Sequence, residues 1–263
     1  MTMRLYYAPQ SSAALRALLL VRIKNLESTS SIKLIKVGNA RNKKEFETSG
    51  VWLLPEDDEE TKRLGTRSYL AFNPEGRVPV LLVGTNQITQ SSAIIDYLDS
   101  TLDLNLYPKN PIEHAFVQQI VNCISTDIHP LQNIPLVSTA MMLGMDKTGD
   151  DAKTHEFRKI AIRRGFESIE LIFKRTAGKY SYKNDLTKAD IFLVPQVRNA
   201  LGCGIDVEKE FPIIYSVWEN CLKIPAIHDT LIECGGLLQP VGKVSKDQFA
   251  PPSKLEEAAS AKL

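Results

Sequence analysis

The stretch NPEGRVPVLLVGTNQITQSSAIIDYL, residues 73–98, constrains the fold more than any other part of the chain. It opens on turn residues, and the run Val78–Val83 is short, apolar and rich in β-branched side chains, which predicts a buried strand. A turn and a brief returning strand at 88–89 follow, and Ser91 or Ser92 then caps a helix. The predicted apolar face of that helix comprises Ala93, Ile94, Tyr97 and Leu98.

Pro79 is unusual within a strand. Because proline cannot donate to a strand ladder, it marks a sheet edge, a strand start or a cis peptide. A cis bond after Val78 would leave the backbone N–H and C=O of Val78 available to an extended peptide. The free N–H groups at the start of the Ser91 helix suit a carboxylate. These features together favour a small anionic peptide as ligand, and the alternative is a hairpin and a capped helix that bind nothing.

The same stretch, with its V-P strand and Q-S before a helix, resembles the glutathione site of the glutathione transferases. Three further segments resemble the zeta class of that family, which includes the maleylacetoacetate isomerases. QSSAALRALLL (10–20) resembles the S-S-C-x-W-R start of the first helix, and DIHPLQN (127–133) resembles the I-x-P-L-Q-N segment. LTKADIFLVPQVRNA (186–200) resembles V-T-x-A-D-x-x-L-V-P-Q-V-x-N-A. The resemblance spans Leu5 to about Leu231.

The resemblance implies a glutathione transferase fold, in which an N-terminal thioredoxin-like α/β domain precedes a C-terminal all-α domain. The chain then divides into a glutathione-binding domain at 1–102, a linker at 103–110, a helical domain at 111–240 and an extended tail at 241–263. An insertion at about 40–70, relative to the family, carries an acidic run. We interpret this insertion as a solvated surface loop. The alternative is a partial lid that shields the ligand with Trp52, Leu53 and Leu54.

Hydrophobic periodicity predicts the remaining elements. Arg4–Tyr7 and Ile32–Val37 form parallel strands of a βαβ unit, joined by a helix that ends near Asn25 and packs on the sheet. Gly165 is expected to be a close-packing point in a long helix, and Thr187 with Asp190 predicts a capping box. Phe157 and Ile160 are among the apolar positions of that long helix, which ends near Arg175. The other predicted helices of the second half cover about 112–127, a segment ending at Leu143, 187–201, 211–222 and 226–231.

Ser11 and Ser12 occupy the N-terminus of the first helix. A serine hydroxyl there can donate a hydrogen bond to a thiolate, and the helix dipole adds to the stabilisation. The residues alone are also consistent with an ordinary pair of N-cap serines. The resemblance identifies Ser11 as the catalytic serine, followed by Ser12, with the thiol supplied by glutathione.

The resemblance also implies the residues that hold glutathione. The backbone of Val78, next to Pro79, would bind the cysteinyl unit. Gln90 and Ser91 would hold the γ-glutamyl carboxylate and amine.

The helical domain would close the far side of the site with His129 and Asn133. His129 stands where the family can have a glutamine. Alternatively, it has no binding role and is simply a polar residue at a helix end beside Pro130. Arg16 matches the first arginine of the motif and would anchor anions, or it lies on the helix surface.

Two departures from the family pattern affect the substrate. Ala13 stands where the family has a cysteine, which argues against a thiol-exchange mechanism and removes a side chain that tunes substrate binding. Gly202 stands where the family has an arginine for an acidic substrate. Arg198, one helical turn earlier and on roughly the same face, is expected to replace that arginine.

The resemblance implies a glutathione-dependent cis–trans isomerase acting on an unsaturated diketo acid, a homodimer and a role in aromatic amino acid catabolism. Glutathione thiolate would add to the activated double bond, and it would leave after the bond has rotated, so that no glutathione is consumed. The alternatives are a general transferase that conjugates small electrophiles and a non-catalytic glutathione-binding protein.

Composition excludes several classes of function. A net charge of +1 gives no reason to expect nucleic acid or an anionic membrane as partner. Four cysteines without metal-ligand spacing suit a reducing compartment and imply no metal. The apolar run Leu15–Ile23 is too short to span a bilayer, and the start of the chain lacks a signal core. The resemblance implies a cytoplasmic location, and Ala261-Lys262-Leu263, a variant of the S-K-L peroxisomal address, indicates the alternative.

Overall fold

The computed structural model describes residues 3–30, 32–39, 52–132 and 152–236. The strands are β1 Met3–Tyr7, β2 Ile32–Lys36, β3 Gly38–Asn39, β4 Trp52–Leu53, β5 Val80–Val83 and β6 Asn86–Thr89. Four of them form one sheet in the order β2-β1-β5-β6, in which β1 is parallel to β2 and antiparallel to β5. The predicted βαβ unit and the hairpin before the Ser91 helix are therefore confirmed.

Five helices accompany these strands within the described residues. They are α1 Ser12–Ile23, α2 Leu26–Thr29, α3 Glu59–Leu64, α4 Tyr69–Phe72 and α5 Ser91–Leu102. On α5, Ile95 is buried whereas Ala93 is exposed, so the predicted apolar face was wrong by one position. Ile94 and Leu98 are buried as predicted and direct α5 onto the core.

The second half of the chain is helical in its described part. It contains α6 Pro111–Asn122, a π-helical segment Cys123–Ile128, α7 His129–Gln132, α8 Ala152–Thr176, α9 Lys188–Gly202, α10 Val207–Glu210, α11 Pro212–Leu222 and α12 Pro225–Glu233. None of the helices in the described ranges is long and apolar enough to cross a membrane. The predicted segment ending at Leu143 and the tail at 241–263 lie outside the described residues.

Helix α1 is buried nearly all around rather than on one face. From Ser12 to Val21 every residue except Ala13 is buried. The helix contacts α5 of its own domain and α9 and α12 of the helical domain. The prediction that it packs on the sheet is confirmed by its contacts with β1, and the second domain covers its other side.

In its described part, 52–69, the inserted segment contains strand β4 and helix α3, so the interpretation as a loop was wrong there, although Glu56, Asp57 and Glu59 of its acidic run are exposed as expected. Strand β4 pairs with β3, and Trp52 is buried. Within the acidic run, Glu56 to Glu60, Asp58 caps α3 and accepts a hydrogen bond of 3.0 Å from the Tyr6 hydroxyl. Glu60 is buried and forms a salt bridge with Arg4. Asp58 and Glu60 are buried because each has a partner on β1, Tyr6 and Arg4, and these contacts hold the segment against the sheet.

A joint between the two domains surrounds the linker residue Leu106, which is fully buried. Its backbone N–H donates to the Asp99 carboxylate on α5, and its C=O accepts from the backbone N–H of Lys188. The Lys188 ammonium is also buried, and it donates to Ser92 Oγ at 2.8 Å and Asp96 Oδ1 at 2.6 Å. Charged and backbone groups thus fasten α5 to α9 across the linker.

Two local features predicted for the helical domain, a close-packing glycine and a capping box, are present in the structure. A Cβ atom on Gly165 would come within 2.1 Å of Ile128 Cγ1, so glycine allows α8 to approach the π-helical segment, as predicted. The capping box of Thr187 and Asp190 is present at the start of α9. Phe157 and Ile160 on α8 are exposed, so their helical spacing did not place them in the core.

Candidate active site

Ser11 is the N-cap of α1. Its Oγ accepts a hydrogen bond of 3.3 Å from the backbone N–H of Ala14. Because the oxygen serves as acceptor there, the hydroxyl proton can be donated to another group. The free N–H groups of the first helical turn lie beside it and favour negative charge. This position therefore combines a hydrogen-bond donor with a positive dipole end, as the sequence predicted.

Ser12, the next residue, faces the helical domain. It is buried, and its Oγ lies 3.4 Å from His129 Nδ1 at the start of α7. This contact joins the first helix of one domain to the π-helical region of the other. His129 is thus brought to the site from a position 117 residues later, as predicted. Asn133, its predicted companion, lies outside the described residues.

Arg16 is buried rather than on the helix surface, with 2% of its surface exposed. Its Nη1 lies 3.5 Å from Ser91 Oγ, and its guanidinium carbon lies 4.4 Å from the centre of the Phe192 ring. Nε and Nη2 have no hydrogen-bond partner in the described part of the chain. Burial lowers the pKa of this guanidinium to about 9, so it remains cationic at pH 7. A buried cation with unused donors suits an anionic ligand.

The peptide bond between Val78 and Pro79 is cis, which was one of the three alternatives that the sequence left open. Both residues are buried, and β5 begins only at Val80. The backbone groups of Val78 lie outside the pairing of β5 with β1 and β6. The structure therefore keeps the Val78 peptide group out of the described sheet, where an extended ligand could pair with it.

The corner before α5 differs from the sequence prediction. Gln90, rather than Ser91 or Ser92, is the N-cap, and it adopts a positive φ of 65°. No side chain caps the helix, so its first N–H groups are not satisfied by the cap residue. Ser91 is the first helical residue and is buried beside Arg16. The turn out of β6 demands the unusual backbone at Gln90, which shifts the helix start by one position.

Glu75, which was not among the predicted site residues, lies against this corner. Its Oε1 accepts from Thr89 Oγ1 at 3.0 Å, and its Oε2 accepts from Gln90 Nε2 at 3.1 Å. The backbone of Glu75 is fixed by Asn73, whose Oδ1 accepts from the Glu75 N–H. The only sequence signal was its place in the Asn-Pro-Glu-Gly turn, which does not indicate what its side chain contacts.

In the described part of the chain, Arg198 donates hydrogen bonds to backbone carbonyls and not to residues of the predicted site. Its Nη2 donates to the Cys234 carbonyl at 2.7 Å, and its Nε donates to the Gly236 carbonyl at 3.4 Å, just beyond α12. These contacts tie α9 to the end of α12 and involve none of the predicted site residues. Its role as a substrate anchor stays a prediction. Ala13 occupies the first turn of α1 and places no thiol there.

His129 is strongly affected by its surroundings. Burial, together with the positive charges of Arg16 and Arg77, lowers the pKa of its ring to about 3 from the ordinary 6.5. The ring is therefore neutral at pH 7 and can hydrogen-bond without repelling the nearby arginines. It does not serve as a source of protons in the physiological range.

This shift predicts a pH dependence of stability. Between pH 6.5 and about 3 the unfolded chain binds a proton at His129 that the folded protein does not, so stability falls as the pH is lowered through this window. From about pH 7.5 to 5 the loss amounts to about 2 kcal/mol for this group. His129→Gln should shrink the pH dependence by that amount when the free energy of unfolding in urea is measured at both pH values. Equal pH dependence in the two proteins would contradict the assignment.

The residues at this junction suit an anionic thiol peptide. Ser11 supplies a donor at a helix end, Val78 a free backbone edge, and the corner of α5 a second helix end with a buried arginine. In the described part of the chain, no group of three His, Cys, Asp or Glu side chains is placed to hold a metal. The arrangement can bind and orient a peptide carboxylate and lower the pKa of a thiol.

Comparisons with known proteins show the family to which the chain belongs. The family model for the glutathione S-transferase N-terminal domain matches residues 10–101, and the model for the C-terminal domain matches residues 137–230. A maleylacetoacetate isomerase of Dictyostelium discoideum is 30% identical over 198 residues, covering 75% of this chain and 86% of the relative. The Mus musculus maleylacetoacetate isomerase is 32% identical over 160 residues, covering 60% and 69%.

Solved structures give the same fold. A maleylacetoacetate isomerase from Anaeromyxobacter dehalogenans, which has glutathione bound in its active site, superposes with a TM-score of 0.65 at 24% identity. The superposition covers 87% of this chain and 94% of that structure. At this identity the similarity establishes the fold, including the pairing of a sheet-containing domain with a helical one.

Proposed function

The chain belongs to the zeta class of the glutathione S-transferases, the family of the maleylacetoacetate isomerases, and on that premise we propose that it is a glutathione-dependent cis–trans isomerase of an unsaturated diketo acid. The enzyme also has glutathione transferase activity. One observation supports this proposal above the others: Ser11 caps α1 through its oxygen and so retains its proton for a thiolate at the helix N-terminus.

The residues of the junction fit glutathione. Arg16 has two buried N–H donors without a partner, and the α5 helix beside it has no side-chain cap, so a ligand carboxylate at Ser91 would satisfy both. The backbone of Val78 would pair with the cysteinyl unit. Ser11 would then receive the thiol, with Ser12 and His129 closing the side toward the helical domain.

When bound, glutathione supplies a thiolate that adds to the activated double bond and leaves after rotation. The protein contributes by stabilising negative charge and by positioning groups. Ser11 and the N-terminus of α1 stabilise the thiolate, because a hydrogen bond and a dipole both favour the charged form. His129 stays neutral, so it does not protonate the thiolate. Arg16 supplies a positive charge near the site, which favours the acidic substrate.

A second function, general conjugation of glutathione to electrophiles, is favoured by one observation. Arg198, the candidate replacement for the arginine missing at Gly202, donates to the carbonyls beyond α12. If no other cation anchors the second carboxylate, a diketo acid loses its advantage over a neutral electrophile. The thiolate chemistry at Ser11 would be the same in both functions.

A paired assay tests the proposal. The cis–trans isomerisation of maleylacetone and the conjugation of 1-chloro-2,4-dinitrobenzene are followed spectrophotometrically with and without glutathione. We expect isomerisation that requires glutathione but does not consume it, with a kcat/KM well above that for the aryl halide. Conjugation without isomerisation would favour the general transferase, and the absence of both activities would overturn the enzyme assignment.

Three further parts of the proposal rest on the family alone. They are a homodimeric assembly, a cytoplasmic location and a role in aromatic amino acid catabolism. The segment Ala261-Lys262-Leu263, on which the alternative peroxisomal location depends, lies outside the described residues.

A further inference from the structure

We propose that Glu75 is the residue that makes the site selective for a ligand with a free α-ammonium group, a role that rests on glutathione being the ligand. The γ-glutamyl end of glutathione is a zwitterion, with a carboxylate and an ammonium on one carbon. Recognition of both charges requires a cationic and an anionic pole close together. The corner before α5 provides both.

The cationic pole has two independent components. The first turn of the twelve-residue helix α5 has no side-chain cap. Arg16, 2% exposed, directs Nη1 to within 3.5 Å of Ser91 Oγ at this helix end, and its Nε and Nη2 lack partners among the described residues. A carboxylate at Ser91 would receive hydrogen bonds from the helix and a charge from Arg16.

The anionic pole is Glu75. Since a carboxylate can only accept, the group that Gln90 turns toward Glu75 must be its NH₂, as the 3.1 Å contact of Nε2 with Oε2 indicates. The amide oxygen is then the end of the Gln90 side chain that does not contact Glu75, and Gln90 is exposed, so a ligand can reach it. An ammonium group beside Gln90 would find this oxygen as acceptor and the Glu75 charge behind it.

The position of Glu75 is fixed from several sides. Asn73 is buried, accepts from the Glu75 N–H at 3.1 Å and donates to the Arg77 carbonyl at 2.8 Å. Thr89 holds the second carboxylate oxygen at 3.0 Å. The carboxylate is thus oriented before any ligand arrives, which lowers the entropy cost of using it for recognition.

The test compares two peptides and three proteins by isothermal titration calorimetry. The peptides are glutathione and glutaryl-cysteinyl-glycine, which lacks only the α-amino group. We expect the wild type to prefer glutathione by about tenfold and Glu75→Gln to prefer it by about twofold or less, since an exposed charge pair contributes modestly. Thr89→Val is the matched control, because it removes a hydrogen bond to Glu75 but leaves the charge, and it should keep the wild-type preference.

A measurement on the unmodified protein provides a second check. Raising the salt concentration to about 0.5 M should reduce the wild-type preference several-fold and leave that of Glu75→Gln unchanged, because salt screens exposed charges. A full preference in Glu75→Gln, or a preference insensitive to salt, overturns the role of Glu75 while glutathione binding stands. If the wild type binds neither peptide, the proposed function fails and the inference fails with it.

Discussion

Ser11→Ala is expected to lower the turnover of isomerisation by about a hundredfold, with a much smaller change in the affinity for glutathione. Ser11 Oγ accepts from the Ala14 N–H, so its hydroxyl proton is free to be donated to the thiolate. Without that donor only the helix N-terminus stabilises the charge, and the pKa of the bound thiol rises toward that of a free thiol. The ultraviolet absorbance of the thiolate, titrated against pH in the complex, measures this rise directly.

Two variants separate the chemistry of Ser11 from its structural role. Ser11→Thr keeps both the N-cap and a hydroxyl, and it should retain most of the activity. Ser12→Ala removes the neighbouring hydroxyl, which lies against His129, and it should cost far less than Ser11→Ala. An unchanged thiolate titration in Ser11→Ala would refute the assignment.

Asp190→Ala is expected to lower the free energy of unfolding by about 3 kcal/mol or more. Asp190 is fully buried at the start of α9, and its carboxylate accepts from the backbone N–H of Ser181 at 2.7 Å and of Thr187 at 2.8 Å. The Thr187 hydroxyl donates to it as well, at 3.1 Å. Alanine would leave two buried N–H groups without these acceptors. Equilibrium unfolding in urea measures the loss.

Asp206→Ala provides the matched control. Asp206 is also an N-cap aspartate, since its side chain accepts from the Lys209 N–H at 3.2 Å, but this hydrogen bond is exposed. Water can replace the lost acceptor there, so we expect a loss of about 1 kcal/mol or less. A loss for Asp190→Ala no greater than for Asp206→Ala would show that burial does not determine the cost.

The sequence predicted those features that depend only on residues close together along the chain. The capping box of Thr187 and Asp190 needs only four consecutive residues, and the small size of Gly165 indicates close packing whatever the partner. The cis bond at Val78-Pro79 and the N-cap role of Ser11 were each among the alternatives that residues adjacent in sequence indicated. Such features depend on the chemistry of residues that are neighbours in sequence, so they can be recognised from a single sequence.

Features that depend on distant residues were beyond local patterns. Arg16 is buried because Phe192, on a helix of the other domain, covers it. Asp58 is buried because the Tyr6 hydroxyl on β1 donates to it. A charged residue in a sequence favours the surface unless its partner is known, and both partners are more than fifty residues away from the groups that they cover.

For the candidate site, the sequence indicated which residues to expect there but not the hydrogen bonds that they make with one another. The resemblance implied that Gln90 and Ser91 hold the ligand, but it did not indicate that the Gln90 amide donates a hydrogen bond to Glu75, 15 residues earlier. Arg198 shows the converse. Its spacing on α9 suggested a substrate contact, whereas its donors serve the carbonyls of Cys234 and Gly236.

The joint at Leu106 has a consequence for chimeric proteins. A chimera made by exchanging domains at the linker would separate the Lys188 ammonium from Asp96, since the two lie on opposite sides of the exchange point. A graft that brings in this helical domain without an acidic residue at position 96 would bury a cation with no counter-ion. A domain exchange therefore has to preserve the pair of Lys188 and Asp96. Each half of this protein can be combined only with a half that carries the oppositely charged residue at the matching position.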